Sequence, residues 1–485
     1  MKPLAIHVAT RRGIVLAAVL VLTAMAGMVA AGLLFRMRAE VTASAAGTRG
    51  QQAYFAAMSG VQRVLTVLQA GRDDPQTWMD RPDIFQNQLV FDDGANKWYF
   101  TVYAANPEDR KTVRFGPSDE AARININVAD EATLLKMPNM TQDLADCLLD
   151  WRDSDNDPRP RGAEQEYYSG LPIPYLVKNG PLMTVEELLL VKGFNGSIVY
   201  GEDVNFNGML DKNEDDGDES FPPDNADGQL DAGLRGVAAT MSYEPDMDRQ
   251  GNPRIDLNSP SADLAAAGLG QQTVNFVRVY LSEGNRFSHP SELLNMQYRL
   301  QKDYTPGAAA GAASEPGGQE PNTPSESKPS GGPLKAGTTI ESGVGAAELP
   351  LVLDKFTARS GPGNVRVGLV NVNTASAAAL MLLEGIDSNL AAKILDVRAT
   401  LDADTKSTIA WLFAQNVLPA EAFKSIAPKL TARSFQFRVQ CIGFGWPCGQ
   451  YRVIEAVIDL AGGRPRVAYQ RDITRLGLPL AINME

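Results

Sequence analysis

An apolar run from Ile14 to Phe35 follows a basic leader that ends in Arg11-Arg12-Gly13, and Arg36 and Arg38 close it. A helix rises about 1.5 Å per residue, so this run reaches roughly 33 Å, enough to cross a bilayer. A secretory signal also begins basic, but its apolar part is shorter and ends at a small-residue cleavage site. Here the run passes directly into an amphipathic pattern, with Tyr54, Phe55, Met58, Val61, Val64, Leu65 and Leu68 at helical spacing. The expectation is one continuous helix over 14–70, half in a membrane and half outside it.

A basic leader closed by glycine, followed by such a helix, resembles the type IV pilins and type II secretion pseudopilins. The resemblance implies that a prepilin peptidase cuts between Gly13 and Ile14, removing residues 1–13, and that the new N-terminus is methylated. Family members carry a glutamate at the fifth mature position, where it neutralises the N-terminal amine of the next subunit up the filament. This chain has Ala18 there. An unpaired charge in hydrocarbon costs about 3 kcal/mol or more, so the missing carboxylate suits a subunit with nothing above it, at a filament tip.

The length of 485 residues allows two to four domains. A formal net charge of -13 repels nucleic acid in the absence of a local basic patch. Three cysteines are present. Cys441 and Cys448 flank a Gly-Pro-rich turn in CIGFGWPC, which in an oxidising compartment suits a hairpin disulfide. Cys147, in LADCLLDW, reads as a buried free thiol.

Strand-like runs lie near both ends. KWYFTVYAA and KTVRF flank the turn NPEDR, and RSFQFRVQCIGF, QYRVIEAVIDL and RPRVAYQR fall within 433–473. The stretch between reads as helical. The expected fold is α+β: a pilin-like long N-terminal helix plus an antiparallel sheet. Residues 71–120 and 431–485 supply the sheet, interrupted by a large helical insertion over 121–430. The insertion repeats itself from Arg123, Arg254 and Leu369, each time with an I/V-x-(I/V/L)-N element before two helices, a helix-hairpin-helix or SAM-like unit. Ser/Thr-led helices follow the first two repeats, at Thr184 and Ser288. Thr184 and Glu187 have capping-box spacing. Residues 305–336 are Pro-, Gly-, Ser- and Ala-rich and read as a disordered linker.

Two acidic loops carry the candidate chemistry. In DVNFNGMLDKNE the EF-hand ligand positions hold Asp203, Asn205, Asn207, the Met209 carbonyl, Asp211 and Glu214, with Gly208 at the turn. In DSDNDPRPRGAE, Asp153, Asp155, Asp157 and Glu164 take positions 1, 3, 5 and 12, although Pro158 replaces the turn glycine. Carboxylates packed this closely repel one another unless a divalent cation, here expected to be calcium, lies between them. The neighbouring DNADGQLD repeats half the pattern, with Pro223 at the first ligand position.

The run LLDWRDSDNDPRPRGAEQEYY, followed by PYLVKNGPLMTVEELLLVKGF, resembles the helical domain of the type II secretion minor pseudopilin K family. That resemblance implies a single-pass inner-membrane protein with its head in the periplasm and calcium in the helical domain. It also implies a place at the pseudopilus tip beside other minor pseudopilins and the major pseudopilin. The third repeat resembles competence-type DNA receptors, but its hairpin is Glu384-Gly385-Ile386-Asp387, and acidic side chains there repel a phosphate backbone. No nucleophile motif, phosphate loop or zinc spacing is present, so no enzyme is expected.

Overall fold

The computed structural model describes residues 12–305, 333–358 and 365–482. Most of the leader and the bulk of the expected linker, residues 306–332, lie outside that set.

Helix α1 spans Arg12–Gly71 without a break. Its apolar first part is bare, with Ile14 69% and Phe35 72% exposed. Beyond residue 49 the surface changes. Gly50, Ala53, Ala57, Gly60, Val61, Val64 and Leu68 are buried, a stripe at i, i+3, i+4 and i+7 spacing that lies on a sheet. The buried stripe therefore uses small residues that the apolar pattern overlooked, and Phe55, counted in that pattern, stays 61% exposed.

The sheet has seven strands. β1 (Gln88–Asp92), β2 (Lys97–Ala105), β3 (Val113–Arg114) and β4 (Ser118–Asp119) come from before the insertion. β5 (Gln436–Trp446), β6 (Tyr451–Asp459) and β7 (Arg466–Asp472) come from after it. The order is β1-β2-β5-β6-β7, with β3 beside β2 and β4 beside β5. Its central pairing, β2 with β5, is antiparallel with Val102 opposite Cys441. The helix lies so close to β5 that a Cβ on Gly443 would stand 2.0 Å from the Ala53 carbonyl oxygen. Small residues on both surfaces permit that approach. Val61, Val64 and Leu68 meet Phe100, Val102, Phe437, Val439 and Ile454 in one core.

A second core lies within the insertion and runs from Ile124 to Leu430. Each repeat opens on a two-residue strand paired in parallel: Ile124–Asn125 with Ala238–Ala239, Ile255–Asp256 with Phe356–Thr357, Val370–Asn371 with Leu430–Thr431. The asparagine two residues beyond each strand fastens the unit. Asn127 Nδ2 donates to the Leu182 and Thr240 carbonyls, Asn258 Nδ2 to Phe287 and Ala358, Asn373 Nδ2 to Lys406 and Ala432. The main helices are α2 (Gln142–Arg152), α3 (Gln271–Ser282) and α4 (Ser388–Thr400). Thr141 caps α2 and Asp387 caps α4.

The element after Thr184 is a 3-10 turn, Val185–Leu190, and Thr184 makes no side-chain cap. Glu187 Oε2 accepts instead from the Met183 amide (2.9 Å) and the Lys178 ammonium (2.8 Å). A carboxylate already held by a lysine is drawn away from the capping-box partner. The ends of the expected linker are brought together, since the amides of Tyr304 and Leu334 exchange hydrogen bonds with each other's carbonyls (2.8 Å each).

Candidate metal centres and the seam between domains

The first acidic loop leaves the C-terminus of α2. Asp153, Asp155 and Glu164 each place a carboxylate oxygen within 4.8 Å of the other two. Glu164 is 5% exposed, and neither of its oxygens, nor Asp153 Oδ1, accepts a hydrogen bond. Burial, reinforced by Asp150, Asp153 and Asp155, pushes the Glu164 carboxyl up to about 7. Asp157 is not part of this cluster. Its amide donates to Asp155 Oδ1 (2.9 Å) and its side chain is exposed, because Pro158 turns the chain where an EF-hand would have curled it inward. Arg159 bonds Asp150 (2.8 Å) and Asp153 Oδ2 (2.9 Å), leaving Asp153 Oδ1 for the cluster.

The second loop follows the EF-hand path more closely. Asp203 Oδ2 accepts from the Gly208 amide (3.1 Å), the bond that closes such a loop, and its Oδ1 is buried without a partner. Gly208 has φ +69°, and a Cβ there would lie 2.2 Å from the Ala105 Cβ, so glycine is required twice over. Asn205 and Asn207 both donate their Nδ2 to Asp211 Oδ2 (2.8 and 2.9 Å). The Met209 amide donates to Asn207 Oδ1 (2.6 Å). Glu214 is turned to the backbone, accepting from the amides of Val204 (3.2 Å) and Asp211 (3.1 Å). Burial pushes its carboxyl up to about 7 as well. Unpartnered buried oxygens in both loops, and an all-oxygen donor set, fit a hard divalent cation. In the half-motif at 224–231, Asp224 accepts from the amides of Asp216, Gly217 and Ala226.

The hairpin disulfide expected from CIGFGWPC is not formed, and all three cysteines are free. The strand runs straight through Cys441 to Trp446, with Cys441 opposite Ile454. Cys448 lies in the turn beyond, where its thiol reaches the Gly445 carbonyl (3.5 Å). Five strand residues span about 17 Å, whereas a disulfide needs Cα atoms within about 7 Å. Cys147 is buried, its thiol donating to the Arg161 carbonyl (3.4 Å).

Sequence reasoning missed a buried ionic seam where the insertion meets the sheet. Glu120 bonds Arg123 (2.6 Å) and Arg438 (2.8 Å). Glu455 accepts from Arg438 (3.0 Å), Arg471 (2.7 Å) and Arg235. Glu186 bonds Arg235 (3.2 Å) and Arg471 (2.5 Å). Although burial opposes it, this field of arginines holds the Glu455 carboxyl down to about 2. A further carboxylate, Glu244, meets Arg254 (3.1 Å), Arg366 (2.6 Å) and Arg433. The strand alternation hinted at it, since Gln436, Arg438 and Gln440 place polar side chains on a buried face of β5.

Residues 123–200 match the family model described as Type II secretion system (T2SS), protein K. A 29% identical stretch of 92 residues links the chain to Type II secretion system protein K of Pectobacterium carotovorum subsp. carotovorum. That stretch covers 16% of this chain and 28% of the relative, so the chain spans little more than a quarter of the relative it matches. A solved GspK-GspI-GspJ complex from the type 2 secretion system of enterotoxigenic Escherichia coli aligns at TM-score 0.40 and 11% identity, over 90% of this chain and 99% of that one. The family match falls on the acidic loop and the 3-10 turn from which the resemblance was drawn.

Proposed function

We propose that this chain, whose residues 123–200 match the type II secretion system protein K model, is a minor pseudopilin at the tip of a secretion pseudopilus. It starts assembly there and supports protein export across the outer membrane. One observation carries this reading: α1 is a single 60-residue helix, bare over its apolar part and built into the sheet over the rest. A disposable signal does not continue into a core. An anchor that shares its helix with the head transmits position from the membrane to the head.

In this reading the prepilin peptidase cuts between Gly13 and Ile14, the new N-terminus is methylated, and the apolar run crosses the inner membrane once with the head in the periplasm. Other minor pseudopilins and the major pseudopilin pack against the exposed helix. The head is too bulky to stack repeatedly, and Ala18 supplies no carboxylate for a subunit above. Both features favour the tip.

Calcium is the cofactor of the reading. Asp153, Asp155 and Glu164 would hold one ion. Asp203, Asn205, Asn207, the Met209 carbonyl, Asp211 and Glu214 would hold another. The ion would neutralise carboxylates that otherwise crowd one another, and its role would be structural. Mass spectrometry of the mature protein tests the assignment: a methylated N-terminus at Ile14 is expected, and a chain beginning at Met1 defeats it.

A further inference from the structure

We infer that the loop 203–214 is a cation-set clasp that holds the inserted helical domain against the sheet; the inference rests on the calcium reading of that loop.

The argument is one of alternation. Residues 203, 205, 207 and 211 supply the ligand side chains. Phe206, Gly208 and Leu210, lying between them, make the contacts to the other half of the molecule. The Phe206 carbonyl accepts from Gln440 Nε2 on β5 (2.9 Å), and its ring lies under Arg235 (3.9 Å) and Arg471 of β7 (5.6 Å). Gly208 lies flush against Ala105 at the end of β2. The Leu210 amide donates to the Arg110 carbonyl in the turn between β2 and β3 (2.8 Å). Asn207 joins both sets, donating its Nδ2 to Asp211 and to the Pro479 carbonyl in the C-terminal segment (2.8 Å).

One twelve-residue loop thus touches β2, the β2–β3 turn, β5, β7 and the C-terminal segment. Phe206 itself sits at φ +62°, a conformation that a bulky residue adopts only when its surroundings impose it. Drawing the ligands onto an ion fixes the path of residues 206, 208 and 210, and so fixes the seam. The seam is not fully packed. A cavity of about 100 Å³ lies between Asp203, Phe206 and Gly208 on one side and Ala105, Arg110 and Gln440 on the other. The first acidic loop has no comparable role, because its contacts stay within the insertion: Asn179 Nδ2 donates to the Asp155 carbonyl (2.7 Å), and Arg159 bonds Asp150.

Hydrogen exchange on the full chain in detergent, with calcium or with chelator, tests this, alongside calorimetric titration of calcium itself. Calcium should slow exchange at residues 106–112 and 478–482 by about tenfold, the change that about 1.4 kcal/mol of local stabilisation gives. Asp203→Ala should abolish that slowing and leave the calcium response at 153–164 intact. Gln440→Leu, which removes no ligand, should still bind calcium but show a smaller response at 478–482. If the wild type binds one more calcium ion than Asp203→Ala, yet exchange at 106–112 and 478–482 ignores calcium, the clasp is wrong and the calcium site stands. If wild type and Asp203→Ala titrate identically, the loop is no calcium site, and the clasp falls with it.

Discussion

The two acidic loops of this protein look alike in sequence and are bonded differently. In the loop at 153–164 the buried glutamate, Glu164, has no hydrogen-bond partner on either oxygen. In the loop at 203–214 the corresponding Glu214 has both oxygens on backbone amides. The first loop is strained by its own charges and local to the helical domain. The second is held by its backbone and leans on the sheet. Similar carboxylate spacing thus yields unpartnered acidic oxygens confined to the helical domain in one case, and a backbone-braced loop that bears on the sheet in the other.

The largest expected effect breaks the second loop alone. Gly208→Val puts a branched side chain at positive φ and into Ala105, and should cost about 3 kcal/mol in thermal or denaturant unfolding. Equal stability with wild type would mean that the loop does not seat on β2. Next comes the cation. Calcium at 100 times its dissociation constant should stabilise each occupied site by about 2.7 kcal/mol. Glu164→Gln and Asp203→Ala should each remove one such increment, and the double variant both. A single variant that removes both increments would show that the loops are one cooperative site.

A smaller effect, measured in chelator, has opposite signs at the two glutamates. Glu164→Gln removes an unpartnered buried charge and should raise stability by about 1 kcal/mol. Glu214→Gln weakens two backbone hydrogen bonds and should lower it by a similar amount. Effects of the same sign would erase the distinction drawn between the loops.

Acidification gives the most graded test. His289 is half-buried in the insertion, and desolvation, helped by the nearby Arg366 and Arg254, pushes its imidazole down to about 4 from the usual 6.5. Its neutral form is the folded one, so this contribution is full above pH 6.5 and fades as pH falls towards 4. Glu455, held near 2 by Arg235, Arg438 and Arg471, stabilises above about pH 4.5 and loses its contribution only below that. Protection from exchange, taken relative to the intrinsic rate at each pH, should therefore be lost at the seam at lower pH than around His289. The reverse order would contradict the ion pairing described for Glu455.

Much of this was legible from residues alone. The long helix follows from an unbroken apolar run feeding an amphipathic one, and β2 and β5 follow from aromatic and β-branched runs. Both acidic loops announced themselves by ligand spacing. Pro158 in the turn-glycine position already signalled a departure from the standard path, and the structure gathers Asp153, Asp155 and Glu164 while Asp157 stays exposed. The cysteine pair was misjudged because a Gly-Pro-rich stretch reads as a turn, while the strand continues through Cys441, Gly443 and Gly445 to Trp446. The parallel rungs of the repeats use partners only two residues long, such as Ala238–Ala239, too short for any period to show. Nor could the Ser/Thr-led element of the third repeat be told apart, although Lys406, Leu182 and Phe287 receive equivalent asparagine bonds.

The central rung of the sheet has a consequence for how the molecule comes into being. Val102 waits for Cys441, more than 300 residues further along the chain, before β2 gains its neighbour. Until then the sheet-facing stripe of the stem helix is only partly covered, and the helical insertion can collapse around its own core first. A polypeptide threading through the membrane head-last would therefore complete its middle before its base. A chain ending between Thr431 and β5 would keep a stem and a folded knob with nothing firm between them.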